Sequence, residues 1–333
     1  MLKNIFKKIG RIILTNLSFI IAFIIIIFVF TFEFPYTIAS PGKLINMQDR
    51  IKMKKSNTIS GSYNMTYVET RKLTIPTLII SYFNKSWDVY KNSDFIGENI
   101  TAEENDKIGR ITLKESNDNA IINAYREAGL DVEVKSEKVC IISIDENADT
   151  DLKIGDEIIS VDGVKVESAT HLSRLSNIYS EGDKVNFEVM SGGKKYNRYA
   201  YVYNAGQKVF GIYVKLNKDL EYSPKVEFNF GKNEYGSSAG LMEALYIYDC
   251  LIEKDLSNGL KIAGTGVIDT EGNILEIAEV KYKLESAVKE GADIFFVPGA
   301  NYDEIKDEQT GNTKIVPVNL FSDAIFYLYN YQK

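Results

Sequence analysis

Apolar and polar positions are distributed unevenly along the chain. Ile12 to Phe32 is a run of 21 residues without a charge, dominated by Ile and Phe. As a helix, that length spans the hydrocarbon core of a bilayer. Lys3, Lys7, Lys8 and Arg11 precede it, and cations on that side hold an amino terminus in the cytoplasm. The expectation is a cytoplasmic stub at 1–11, a single-pass anchor in the cell membrane at 12–32, and the rest of the chain outside. A cleaved leader is the rival reading. The run is longer than an ordinary leader core, and only Ala39-Ser40 offers small residues beyond it.

After the run the periodicity changes. Gly61 to Ser81 alternates through Tyr63, Met65 and Tyr67 and continues from Leu73 to Ile80, which predicts strands. Val139 to Ile144 is β-branched, Glu157 to Val161 follows a Gly155-Asp156 turn, and Asp162-Gly163 is a hairpin turn. Thr170 to Tyr179 reads as a helix ended by Gly182-Asp183. Val185 to Met190 and Tyr196 to Val202 then read as strands around Ser191-Gly192-Gly193. Gly206 to Phe230 is again strand-like. Ala239 to Lys254 and Glu276 to Glu290 have helical periods, Ile294 to Pro298 is a buried strand, and Phe321 to Tyr329 is a closing helix. Lys85 to Lys107 is polar around Trp87 and suggests no function. The mixture predicts an α+β chain with two modest cores.

Charge and composition remove several classes of function. The formal net charge is −7, and an acidic surface repels phosphate backbones, so no nucleic-acid partner is expected. Cys140 and Cys250 fall in a strand and a helix pattern and read as small buried residues rather than a disulfide. Gly231 and Gly236 have phosphate-loop spacing, but Ser237 stands where the lysine belongs. Asp145, Asn147 and Asp149 begin like a calcium loop, yet Thr150 and Asp156 replace its glycine and glutamate. No His and Cys cluster suits zinc. Neither a cofactor nor a metal is expected.

The candidate chemistry starts at Ser238, ahead of a helical pattern, where unpaired amides and the positive end of the helix dipole gather. A serine hydroxyl needs a neighbouring base. The only histidine, His171, lies in a different module, which turns attention to lysine. A lysine serves near neutral pH only when burial lowers its proton affinity.

Tyr235-Gly236-Ser237-Ser238-Ala239-Gly240-Leu241-Met242, then Gly264-Thr265-Gly266-Val267-Ile268-Asp269, then Ala278-Glu279-Val280-Lys281-Tyr282-Lys283 resemble in order the proteolytic domain of Lon-type serine proteases. The resemblance implies Ser238 as nucleophile and Lys283, not Lys281, as base. It implies Thr265 as the partner of the lysine amine, and Gly236, Ser237 and Ala239 as the nucleophile loop with amides for an oxyanion. Ile111 to Ser116, with Ala120 and Ala124, resembles the strand-to-helix segment ahead of the nucleophile. Two positions depart from the family. Ser237 replaces a proline, and Ala278-Glu279 replaces Gly-Gly.

Between these pieces, Leu152-x-x-Gly155-Asp156-x-Ile158-x-x-Val161-Asp162-Gly163 closely resembles bacterial PDZ modules. The resemblance implies a peptide groove between the Val139 to Ile142 strand and the helix beginning near His171, with Val139, Ile141 and His171 as its residues. Together with the Pro35 to Gly42 stretch, the whole resembles the membrane-anchored, PDZ-containing Lon-like proteases of Gram-positive bacteria. The implied architecture is α+β: an N-terminal transmembrane helix and a Lon-type proteolytic domain, 33–130 and 204–333, with a PDZ domain inserted at 131–203 as a β-rich, partly open barrel with helices. The implied activity is ATP-independent serine endopeptidase on secreted peptides or small membrane or exported proteins. Its partners would be a peptide or protein substrate, the cell membrane and, since Lon domains often form rings, further copies of the chain. The alternative, motivated by Ser237 and Glu279, is a catalytically impaired PDZ adaptor at the membrane surface.

Overall fold

The computed structural model describes residues 13–92, 100–232 and 234–331. The chain forms two compact units: Met1–Pro41 with Val68–Asn99, and Gly42–Tyr67 with Ile100–Lys333.

In the first unit a helix occupies Leu17–Thr31, 15 residues, and Asn16 before it is non-helical at φ −106° and ψ 13°. Asparagine competes with the helix through its own side chain, which favours a boundary at this position. At the other end Phe32 is extended, and a strand follows over Glu33–Asn46. No helix among the described residues is long and apolar enough to cross a membrane. The expectation of one spanning helix over 12–32 is therefore corrected. Fifteen residues rise about 22 Å, short of the roughly 30 Å of bilayer hydrocarbon. Ile12 and the stub expected at 1–11 lie outside the described residues, as does 93–99 within the polar stretch.

A second correction falls on Leu73 to Ile80, which does not continue as strand. The strand Ser62–Thr74 ends in a helix, Ile75–Phe83. Thr74 and Thr77 form a reciprocal cap, and Pro76 sits in the first turn, where it has no amide to lose. The alternation of apolar residues had matched a strand, but the capping chemistry selects a helix. Tyr36 to Ala39 pairs antiparallel with Asp88 to Lys91, and the Arg71 guanidinium lies 5.2 Å from the centre of the Trp87 ring.

The second unit is built on a parallel sheet. Lys261–Gly264 pairs in parallel with Ser62 to Met65 on one side and with Ile294–Pro298 on the other, and Lys314–Val318 follows outside. Alternate residues serve two cores. Ile262, Ile294 and Phe296 pack with Leu241, Met242 and Leu245 of the helix Gly240–Leu251. Ala263, Phe295 and Val297 pack with Val280, Leu284 and Ala287 of the helix Val280–Lys289. We refer to these as the serine helix and the lysine helix. They cover opposite faces of one sheet, which is why its strand Ile294–Pro298 is apolar and buried at every position.

A third helix, Ala102–Glu127, has 26 residues and starts at a capping box between Thr101 and Glu104. Ile111 to Leu113, expected as strand ahead of a helix, lies inside it. Its buried face is polar as well as apolar, and three of its polar side chains bond to backbone outside the helix. Asn119 Nδ2 donates to the Ile268 carbonyl at 3.0 Å and Asn123 Nδ2 to the Asp269 carbonyl at 2.7 Å. Asp118 accepts from the Lys218 amide at 2.8 Å. Such satisfaction allows polar residues at buried positions.

Between this bridging helix and the serine helix the chain forms an antiparallel sheet in the order Ile212–Tyr222, Val132–Ile144, Glu157–Val161, Lys184–Ser191, Lys194–Tyr201. A helix over Ala169–Ser176 closes a separate core containing Val139, Ile141, Leu172, Phe187 and Phe210. The outer pair of strands is long. It runs from Ile212 opposite Ile144 to Tyr222 opposite Val132, out of this inserted module and alongside the bridging helix. Cys140 and Cys250 are both free and buried.

Gly264 permits the close approach of the serine helix. A Cβ there would stand 2.7 Å from Met242 Sδ and 2.9 Å from the Phe296 carbonyl oxygen. Gly264→Ala is expected to destabilise the fold by about 1–3 kcal/mol through overpacking, read as a lower urea midpoint. An unchanged midpoint would refute the close-approach role.

Candidate active site

The two helices bring their amino-terminal ends to the carboxyl end of the parallel sheet, where open α/β sheets generally place ligands. Ser238 stands in the tight turn that starts the serine helix. Gly236 has φ +107°, a conformation that glycine adopts without a Cβ penalty, and the Gly240 amide closes the turn on the Ser237 carbonyl at 3.2 Å. The Ser238 carbonyl accepts from the Gly266 amide at 2.8 Å and from Thr265 Oγ1 at 3.0 Å. The residue is therefore tied to the loop that leaves the strand Lys261–Gly264. Among the described residues, no backbone carbonyl accepts from the amides of Ser238 or Ala239.

Lys283 lies in the first turn of the lysine helix. It is 6% exposed, and its Nζ is 2.9 Å from Ser238 Oγ and 3.3 Å from Thr265 Oγ1. Thr265 is fully buried. Because its proton goes to the Ser238 carbonyl, its oxygen is left as an acceptor facing the amine. Burial lowers the Lys283 pKa to about 8, opposed by the charge of Glu279. A protonated amine donates across the 2.9 Å contact, whereas a neutral one can accept the serine proton. The geometry serves both directions.

The segment ahead of the lysine helix is pinned by Asn301, which sequence reasoning did not single out. Its side chain accepts from the Ile277 amide and donates to the Ile277 carbonyl, both at 2.9 Å. Its only sequence signal was an Asn next to a strand end. Glu279 then takes φ +62° and ψ 35°, the left-handed conformation that glycine favours. A glycine at this position would adopt that conformation without a Cβ penalty.

Ser238, Lys283 and Thr265 meet in space, with Gly236, Ser237 and Ala239 forming the turn. The groove residues do not gather in the same way. Val139 and Ile141 are buried in the core of the inserted module, on a strand flanked by neighbours on both sides. A cleft of about 400 Å³ lies instead between the helix Ala169–Ser176 and the start of the outer strand. Ala169, Leu172, Ser173, Phe210, Ile212 and Val214 are on its wall, and Val139, Ile141 and His171 are not. His171 donates its amide to Ser168 Oγ in the helix cap. The reason is topological: Ile212–Tyr222 adds outside Val132–Ile144 and takes over the sheet edge. Further along, that edge is occupied by Glu115 and Asp118, which accept from the Leu216 and Lys218 amides.

The PDZ domain family matches residues 127–198, so the chain carries a PDZ domain. It is 24% identical over 192 residues to a Lon protease of Campylobacter jejuni, covering 52% of this chain and 22% of that protein. It is 30% identical over 92 residues to an archaeal Lon protease of Halobacterium salinarum, covering 27% of this chain and 13% of that protein. The chain thus spans 13–22% of the length of these relatives. Among solved structures it is similar to the PDZ domain of the SdrC-like protein from Listeria monocytogenes. The identity is 22%, the coverage 25% of this chain and 92% of that one, and the TM-score 0.23. The PDZ family match and the partial similarity to Lon proteases indicate a protease-related PDZ protein.

Two stability predictions follow from the site. The folded-state pKa of Lys283 is below the unfolded value of 10.5, so the fold binds fewer protons than the unfolded chain between about pH 8 and 10.5. The penalty for burying the cation is full below pH 8 and is relieved as pH rises towards 10.5. Lys283→Met should therefore be more stable than wild type by about 2–3 kcal/mol at pH 7, with the gap narrowing by pH 10. A pH-independent gap in urea melts would contradict this. Glu279→Gly removes a left-handed cost of about 1 kcal/mol and should raise the thermal midpoint; a lowered midpoint would count against strain at that residue.

Proposed function

We propose that the chain is a serine endopeptidase working through a Ser238–Lys283 dyad, without ATP, on peptides or unfolded protein segments engaged by the PDZ cleft. The observation that carries this reading is the 2.9 Å contact between Ser238 Oγ and a buried Lys283 Nζ whose pKa lies near 8. Such an amine is neutral in a useful fraction of molecules near neutral pH.

In the proposed reaction the neutral Nζ takes the proton of Ser238 as Oγ forms a bond to the scissile carbonyl carbon. The carbonyl electron pair moves onto its oxygen, which the Ser238 and Ala239 amides receive at the start of the serine helix. When that pair returns, the C–N bond breaks and the Lys283 ammonium returns its proton to the leaving amine. Water then attacks the acyl-enzyme by the same route and regenerates Ser238. Thr265 keeps the amine aimed at the hydroxyl. The chain contains no phosphate-loop sequence, so its substrates would enter unfolded or through flexible segments. In the cleft an extended peptide would add beside Ile212 to Val214, with apolar side chains against Leu172 and Phe210.

The test is cleavage of an unstructured protein and a peptide library by wild type, Ser238→Ala and Lys283→Met at equal concentration. Wild-type kcat/KM should rise about tenfold from pH 6 to pH 7, because only neutral Lys283 is active. Both variants should lose at least about a thousandfold in rate. Equal cleavage by wild type and Ser238→Ala would overturn the reading. Folded wild type without any cleavage would favour the adaptor, for which the strained Glu279 beside the lysine is the supporting observation.

A further inference from the structure

One buried acid beside the nucleophile turn has no part in the chemistry above. Glu243, one turn into the serine helix, is fully buried. Its Oε1 has no partner among the described residues, and its Oε2 is 3.2 Å from Ser116 Oγ on the bridging helix. The same Ser116 Oγ lies 3.4 Å from the carbonyl oxygen of Ser237, the residue before the nucleophile. Gly240 holds the three elements close, since a Cβ there would stand 2.9 Å from Ser116 Oγ and 2.8 Å from Ile268 Cγ2.

Counting protons decides what this cluster can do. A serine hydroxyl has one proton and can donate to one acceptor at a time. If Glu243 is ionised, the carboxylate takes that proton as the stronger acceptor, and the Ser237 carbonyl loses its side-chain donor. If Glu243 is a neutral acid, its own O–H donates to Ser116 Oγ, and the Ser116 proton is free for the Ser237 carbonyl. Only the neutral form completes the chain from Glu243 through Ser116 to Ser237.

We infer that Ser116 and a neutral Glu243 are positioning residues that hold the nucleophile turn through the Ser237 carbonyl, and that ionisation of Glu243 releases it. Burial supports this by pushing the Glu243 pKa up to about 8, with the Ser116 hydrogen bond opposing. Charged groups on the elements packed around the serine helix include Lys114, Glu115, Asp118 and Glu127 of the bridging helix, with Asp49, Lys52, Lys261 and Asp323 on the others. None of them contributes a resolved charge effect at Glu243.

The activity arm of the test rests on the peptidase reading; the spectroscopic arm does not. Wild type, Glu243→Gln and Ser116→Ala are compared as the full chain between pH 6 and 10. Glutamine keeps a donor towards Ser116 at every pH. We expect a wild-type kcat/KM profile that falls above about pH 8, a Glu243→Gln profile without that fall, and a Ser116→Ala profile about tenfold lower that also lacks it. Infrared difference spectra of wild type minus Glu243→Gln should show a neutral-carboxyl band at pH 6.5 that disappears by pH 10. Amide exchange in peptides covering Tyr235 to Met242, corrected for intrinsic rate, should quicken over the same range only in wild type. Identical profiles in wild type and Glu243→Gln, or no neutral-carboxyl band at pH 6.5, would overturn the inference. If no Ser238-dependent cleavage occurs, the peptidase reading fails by itself, and the infrared and exchange results still decide the positioning pair.

Discussion

The candidate site depends on one constraint: an amine must be held 2.9 Å from a serine hydroxyl in a place where water cannot stabilise its charge. A parallel sheet covered on both faces meets that requirement. The serine arrives on a helix from one face, the lysine on a helix from the other, and both reach the carboxyl end of the same central strand. Gly264 ends that strand and Thr265 follows it, fully buried and bonded to both partners. The desolvation that lowers the lysine pKa is a by-product of closing the sheet between two helices. Stability is lost in burying a cation, and the same burial lowers the pKa of the amine.

The PDZ domain is joined to this arrangement through extended backbone rather than through a loose linker. Its edge strand lines the cleft at Ile212 and Val214 and then passes the bridging helix, where Glu115 and Asp118 accept its amides. Ser116 lies between those two acids in sequence and faces the turn that carries Ser238, at the Ser237 carbonyl. The buried polar stripe of the bridging helix therefore has a structural task, since Asp118, Asn119 and Asn123 bond to backbone groups of a strand edge and a loop. Strain is concentrated nearby. Glu279 adopts a left-handed conformation at the entrance to the lysine helix, just after Ile277, whose backbone is held by a pair of hydrogen bonds with the Asn301 side chain.

Local motifs were legible in the residues wherever chemistry is carried by short segments. The Gly-Ser-Ser-Ala-Gly turn, the Gly-Thr-Gly strand end and the position of Lys283 could be read in order. So could the Leu152 to Gly163 pattern, because turns and helix starts need particular residue types at particular spacings. Two helix boundaries were misread, one of them set by a capping box. Thr74-Ile75-Pro76-Thr77 starts a helix inside an alternating pattern, and Asn16 divides an apolar run that composition alone treats as continuous.

By itself, the sequence determined which residues could do chemistry and which segments alternate or repeat with a helical period. It also confined the search for a base to lysine, since the single histidine lies in the PDZ domain. Tertiary structure alone decided which sheet edge forms the cleft. Strand order is a long-range property, and the strand that captures the edge, Ile212–Tyr222, begins 68 positions after Ile144, the residue it pairs with first. It also decided the protonation behaviour of Lys283 and Glu243. Neither residue type nor spacing specifies how much water reaches a side chain, and only packing from both faces of the sheet removes it.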